Sequence, residues 1–298
     1  MAVACRGDVQ DHLEGGDRLL GAGRPEEAIA EYQVALRQRG DQPDVLLRLA
    51  HGYAHLDRLD EASHYYDRLL AKDSSQADQA VADFLALAGR ALQQRDRARM
   101  ARALQQVETI RPGSVPDELA LPFARYYYEL REYAEALPLY LAVLAASPDS
   151  LAPAVLYELA GVYFELGERG QALVHFRAFL ATRPSGEQRA DARWHAGQCA
   201  YELAQKDRLA GRPTEALEKF DYLIALRAPQ ALLDDAWFER GEILFALGEY
   251  DEAVRSYQEV LNLNPSRSGR RVRAAEDRIR SIRYGRPEEP GEPGEAGR

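Results

Sequence analysis

The stretch Asp234 to Arg267, DDAWFERGEILFALGEYDEAVRSYQEVLNLNPSR, decides the fold. It reads as two helices joined by a turn at Gly248, the second ended by Pro265, which cannot continue a helical hydrogen-bond ladder. Gly241 on the first helix lies twelve residues before Ala253 on the second, and Tyr257 follows Ala253 by four. Small residues at that spacing let two helices cross closely, and the aromatic fills the space beside them.

The same arrangement recurs along the chain. The alanine and aromatic pair returns as Ala28 with Tyr32, Ala62 with Tyr66, Ala136 with Tyr140, Ala172 with Phe176 and Ala216 with Phe220; a degenerate copy has Met100 and Leu104. Twelve residues before the alanine or its substitute stands Gly16, Ala50, Ala88, Ala124 or Ala160; Gly197 stands nineteen before Ala216, because the sixth copy carries seven extra residues between them. Pro112, Pro148 and Pro184 end further second helices. On these residues the chain resembles the tetratricopeptide repeat (TPR) family, whose unit is a helix, turn and helix of about 34 residues. The copies run 9–42, 43–76, 81–114, 117–150, 153–186, 190–230 and 234–267. The expected fold is therefore an all-α superhelix, a solenoid of seven helix-turn-helix repeats in which each unit packs on its neighbours. Residues 1–8 form an N-terminal segment, and 268–284 a capping helix whose Val272, Ala275, Ile279 and Ile282 make one apolar stripe. Six arginines, Arg270, Arg271, Arg273, Arg278, Arg280 and Arg283, cover its other faces and read as a solvated cap. Residues 285–298 lack apolar periodicity and are expected to be a disordered tail.

Three departures stand out. Met100 replaces the expected alanine, Pro122 and Pro138 fall inside the helices of the fourth copy, and the sixth copy inserts AQKDRLA at 204–210. The prolines predict a bend in the fourth copy. The insertion consists of helix formers and predicts a helical spur about 10 Å long.

Composition agrees with helices: alanine, leucine, arginine and glutamate dominate. Acidic pairs at Glu26–Glu27, Asp60–Glu61 and Asp251–Glu252 sit where the dipole at the start of a second helix favours negative charge. A net charge of -10 argues against nucleic acid, which binds basic surfaces. No run of about 18 apolar residues is present to cross a membrane. As written the chain starts without a charged and apolar leader, which predicts a cytoplasmic protein. Met1-Ala2-Val3-Ala4-Cys5 nevertheless resembles the end of a bacterial lipoprotein signal. The alternative it raises is an envelope-assembly TPR lipoprotein, facing the periplasm and anchored through Cys5. Cys199, the other cysteine, reads as a buried thiol.

Catalytic signals are missing: there is no Gly-rich phosphate loop, HExxH or CxxC. His51 and His55, four apart, could share a metal on one helix face, but no third ligand is specified. A metal-dependent enzyme is thus the remote alternative, and neither cofactor nor metal is expected. The TPR resemblance implies a protein partner held on the concave side, lined by first helices. There the residues three before and four after each small site run from Leu13 and Leu20 through Leu47 and Ala54, and Leu85 and Leu92, to Leu121 and Tyr128. They continue as Tyr157 and Phe164, Trp194 and Tyr201, and Phe238 and Phe245, so the groove turns aromatic. Arg125, Glu129, Glu165, Gln198, Glu202 and Glu242 accompany them. Aromatic anchors beside carboxylates suit a peptide or helix with apolar and basic residues; the same aromatics could equally pack between repeats. The family's clamp for acidic chaperone tails uses lysine, arginine and asparagine in the groove; this chain has only three lysines in all, Lys72, Lys206 and Lys219, and acidic residues at the groove places, so a carboxylate-ended peptide is a poor match.

Overall fold

The computed structural model describes residues 9–146 and 152–285, which fall into two compact units divided at Pro148. Every regular element among them is helical. The first unit contains α1 (Val9–Gly21), α2 (Pro25–Arg39), α3 (Pro43–His55), α4 (Leu59–Leu70), α5 (Ala77–Gln93), α6 (Arg97–Ile110), α7 (Asp117–Glu129) and α8 (Tyr133–Ala146). The second contains α9 (Pro153–Glu165), α10 (Arg169–Ala181), α11 (Gly186–Leu209), α12 (Pro213–Leu226), α13 (Leu233–Ala246), α14 (Tyr250–Leu263) and α15 (Arg270–Tyr284). Odd and even neighbours pair as seven hairpins, and α15 covers α14. The fold is an α-α superhelix of helical hairpins with a terminal cap. Cys5, Pro148 and the tail beyond Gly285 lie outside the described residues.

Local chemistry sets the boundaries. Pro25, Pro43, Pro153 and Pro213 occupy first helical positions, where a missing N–H costs nothing. The acidic pairs fall in the first turns of α2, α4 and α14. Between the two helices of every hairpin one residue takes a left-handed conformation. It is glycine at Gly23, Gly167, Gly211 and Gly248, but Asp57, Arg95 and Arg131 in three others, with φ of 56°, 60° and 60°.

The core follows the anchors. Ala28, Ala62, Met100, Ala136, Ala172, Ala216 and Ala253 are all fully buried, as are Tyr32, Tyr66, Tyr140, Phe220 and Tyr257. A Cβ added at Gly241 would come within 2.6 Å of the Tyr257 ring, and one at Gly16 would overlap Tyr32, so these crossings need glycine. Gly197 is small for another reason: a Cβ there would strike the Ala228 carbonyl in the link to the next hairpin. Pro122 and Pro138 lie inside α7 and α8, and both helices run through them unbroken. The insertion at 204–210 does lengthen α11, to 24 residues. It is no free spur: Asp207, 8% exposed, receives Lys219 Nζ at 2.8 Å and Arg212 Nη2 at 2.5 Å, tying the extension to α12. Leu209 beyond it is 78% exposed.

Candidate partner-binding surface

A repeated polar node lies behind the first-helix face. In the first copy the Tyr32 hydroxyl donates to Asp17 Oδ1 at 2.8 Å, and Arg48 from the next copy donates through Nε and Nη2 to both oxygens at 2.8 and 3.0 Å. Burial alone would raise the Asp17 pKa, but bonds from Arg48 and Tyr32 outweigh it and hold the carboxyl below its usual range. In the second copy the parts change places. His51 stands on the copy's own first helix, while the carboxylate, Asp83, comes from α5 and accepts the Tyr66 hydroxyl and, at 2.7 Å, His51 Nδ1. The bond to Asp83 raises the His51 pKa; burial, then the neighbouring His51, lowers that of His55, whose Nε2 lies 3.2 Å from His51 Nε2. Asp83 is thus spent on hydrogen bonds, and among the described residues no group of three or more His, Cys, Asp or Glu side chains could hold a metal.

The residues singled out for the groove divide between the units. In the first, Tyr128 packs edge-on against Tyr133 and Tyr140, with centroids 5.8 and 6.4 Å away, and Glu129 pairs with Arg97 of α6; Arg125 is half-buried beside them on α7.

In the second unit the Tyr157 hydroxyl donates to Asp191 Oδ2 at 2.7 Å, and its ring packs against Phe179 at 5.2 Å, bridging α9 to α10 and α11. Phe164 lies edge-on to His195 at 4.5 Å, with the Arg169 guanidinium 4.1 Å from its ring centroid. Arg169 also donates to Glu202 Oε2 at 2.7 Å. Glu165 is exposed at the end of α9. Trp194 is 45% exposed, its indole edge-on to His195 at 4.9 Å. Gln198 Nε2 donates to Glu202 Oε1 at 3.1 Å, while Gln198 Oε1 is buried with no hydrogen-bond partner. The Tyr201 hydroxyl lies 3.3 Å from Asp235 Oδ2.

At the end of the second unit, α15 sits beside the remaining groove residues. Arg271 lies over Phe238, with its guanidinium 5.5 Å from the ring centroid, and pairs with Asp235; Arg278 lies over Phe245 at 4.8 Å and forks onto Glu242. Burial, then the bond to Glu242, raises the Tyr257 pKa. Cys199 is fully buried, and burial pushes its thiol up to about 12, which leaves it inert.

Sequence reasoning passed over His195, where Phe164, Phe176 and Trp194 meet. Its signal was available: it occupies the position in its copy that Arg48 occupies in the second, facing the preceding hairpin.

Profiles of the tetratricopeptide repeat match residues 19–88, 121–187 and 234–267. No curated protein matches the chain. Among solved structures it is similar to a tetratricopeptide repeat protein from Parabacteroides merdae, at 13% identity over 92% of this chain and 98% of that one, with a TM-score of 0.33. It is also similar to the C-terminal part of a TPR repeat-containing protein from Cytophaga hutchinsonii, at 18% identity over 88% and 98%, TM-score 0.34. A third is YrrB, called a TPR protein with an unusual peptide-binding site, at 17% identity over 83% and 97%, TM-score 0.30. With three matched stretches covering more than half its length, and the glycine, alanine and aromatic crossings built as that repeat requires, the chain belongs to the tetratricopeptide repeat family.

Proposed function

We infer that the chain is a protein-interaction scaffold, without a catalytic step of its own, and that the face carrying Trp194 receives a peptide or helix of a partner protein. The observation that carries this reading is the exposed Trp194 indole one turn from Gln198, whose buried side-chain carbonyl has no partner. A half-exposed tryptophan propped by His195 offers a rigid apolar platform, the kind of residue that dominates binding energy at interfaces. An unpaired buried acceptor is satisfied when an incoming N–H reaches it. Glu165, exposed at the end of α9, favours a basic flank on the partner, whereas Glu202 is already paired with Arg169. Phe164 and Tyr201 frame the platform, whereas Phe238, Glu242 and Phe245 are engaged by α15 and act chiefly in holding the cap.

A peptide array tests it. Peptides with an apolar residue flanked by lysine or arginine are expected to be retained by the wild type and lost by Trp194→Ala. Retention unchanged in a folded Trp194→Ala protein overturns the reading.

A further inference from the structure

We propose that a cavity on the opposite side of α7, in the first unit, is a receptor for the arginine side chain of a partner peptide. The cavity has a volume of about 600 Å³ and lies between α6, α7 and α8. Ala120, Phe123 and Tyr127 of α7 form its floor, on the face turned away from Arg125 and Tyr128. Glu108 of α6 and Glu135 of α8 stand on its rim, none of the lining residues is Lys or Arg, and neither carboxylate has an ion-pair partner among the described residues.

The chain itself shows what such a groove takes. At the matching place between the first two copies, Gln33 Nε2 donates to the Tyr53 hydroxyl at 2.8 Å, and Tyr65 stacks on Tyr53 at 5.5 Å. Arg68 fills the space, its guanidinium 5.3 Å from the Tyr65 centroid and paired with Asp41. Between the fifth and sixth copies Arg177 lies 4.1 Å over Tyr222. Between the third and fourth copies the same bond recurs, Gln105 Nε2 to the Tyr127 hydroxyl at 2.9 Å, but the filling is gone. Three and six residues after the anchoring alanine, where the second copy has Tyr65 and Arg68, the fourth has Leu139 and Ala142. The connection between α6 and α7, residues 111–116, is also longer than the 40–42 link between α2 and α3, which widens the opening.

The frame of the arginine site is kept, its arginine is absent, and two carboxylates line the space: Glu108, one oxygen of which accepts the Gly113 N–H at 3.0 Å, and Glu135. A planar guanidinium can lie against Tyr127 while forking to a carboxylate, which a compact ammonium does less well. The ligand class is therefore a peptide arginine, with an apolar neighbour for Phe123 and Leu139.

The test uses the full chain and the probe acetyl-Leu-Arg-amide, followed by NMR on the Tyr127 ring and Leu139 methyl signals. Saturable shifts at these signals are expected with a dissociation constant in the millimolar range, of order 1 mM. The neutral isostere acetyl-Leu-citrulline-amide, and the wild-type probe on Glu108→Gln/Glu135→Gln, are each expected to bind about tenfold more weakly, the loss of one charge-assisted pair. Ala142→Arg, which restores the filling of the second copy, is expected to abolish binding. No saturation by about 10 mM, equal binding of the citrulline probe, tighter binding of the lysine counterpart, or unchanged binding to either folded variant would each overturn the assignment.

Discussion

Arg278 of the last helix forks onto Glu242 of α13, Nε to Oε1 and Nη2 to Oε2 both at 2.8 Å, and the Tyr257 hydroxyl donates to the same Oε1 at 2.6 Å. The cap is thus fastened by charge as well as by Val272, Ala275 and Ile279, which are buried against α14 and its neighbours. Arg278 is 41% exposed and Glu242 27%, so solvent screens part of the attraction. Arg278→Ala is expected to cost about 1 kcal/mol, most of it as coupling to Glu242. A double-mutant cycle with Glu242→Gln in urea unfolding measures that coupling, and strict additivity of the two changes would refute it.

The His51 and His55 pair sets a pH dependence of mixed sign. His51 has a raised pKa in the fold, so its contribution is complete below its ordinary value of 6.5 and is lost as pH rises through the folded value. His55 has a lowered pKa, so it contributes oppositely, with stability rising as pH climbs from its folded value toward 6.5. In His55→Gln the first effect is left unopposed within the pair, and although buried His175, whose pKa is also lowered, still adds stability as pH climbs toward 6.5, the melting temperature is expected to fall as pH increases above 6.5. Adding His51→Gln should flatten that slope; a slope unchanged by it rules out the Asp83 bond as its source.

Arg95 and Arg131 hold left-handed conformations that cost a side-chain-bearing residue about 1–2 kcal/mol, at the position where four other hairpins have glycine. Arg95→Gly and Arg131→Gly are each expected to stabilise by about 0.5–1 kcal/mol, the strain relieved less the greater entropy glycine loses on folding. A calorimetric scan of each variant checks this, and a lowered midpoint would contradict it.

Ala253 is fully buried at the crossing of α13 and α14. Ala253→Arg forces volume and an unpaired charge into that crossing and is expected to cost on the order of several kcal/mol. Gly241→Ala, whose new Cβ would press on the Tyr257 ring, should cost about 1–3 kcal/mol. Wild-type melting of Ala253→Arg would be incompatible with the repeat register.

The extension of α11 is held by Asp207. Asp207→Asn keeps the shape but weakens the hold on Lys219 and Arg212, so amide hydrogen exchange at 205–210 is expected to quicken about tenfold, with the helix before Ala204 unchanged. Equal exchange would mean that packing alone fixes the extension.

The crossings were legible in the sequence because they depend on residue size: Gly241, Ala253 and Tyr257 specify each other at fixed spacing within one hairpin. The left-handed turns were legible where glycine marks them and hidden at Arg95 and Arg131. The groove was harder to read. Glu242 and Glu202 look like free carboxylates beside aromatics, yet their arginines stand 36 and 33 residues away, Arg278 on the capping helix and Arg169 in the preceding hairpin. Local periodicity says which face a residue occupies; it does not say which partner reaches it from the next repeat. The same limit hid the meeting of three aromatics at His195, two of which come from the preceding hairpin. It also concealed the cavity over Tyr127, which became apparent once Ala142 could be set beside Arg68 in space.

The tyrosine nodes also make the order of the repeats matter. The first copy supplies a carboxylate and needs a cation from its successor; the second supplies His51 and needs a carboxylate. Excising the second copy would bring Asp83 to the junction beside Asp17, acid against acid beneath Tyr32. Repeats of one shape are therefore not interchangeable parts: each junction accepts its own neighbour, and shuffling the modules would leave the hairpins intact while breaking the joints between them.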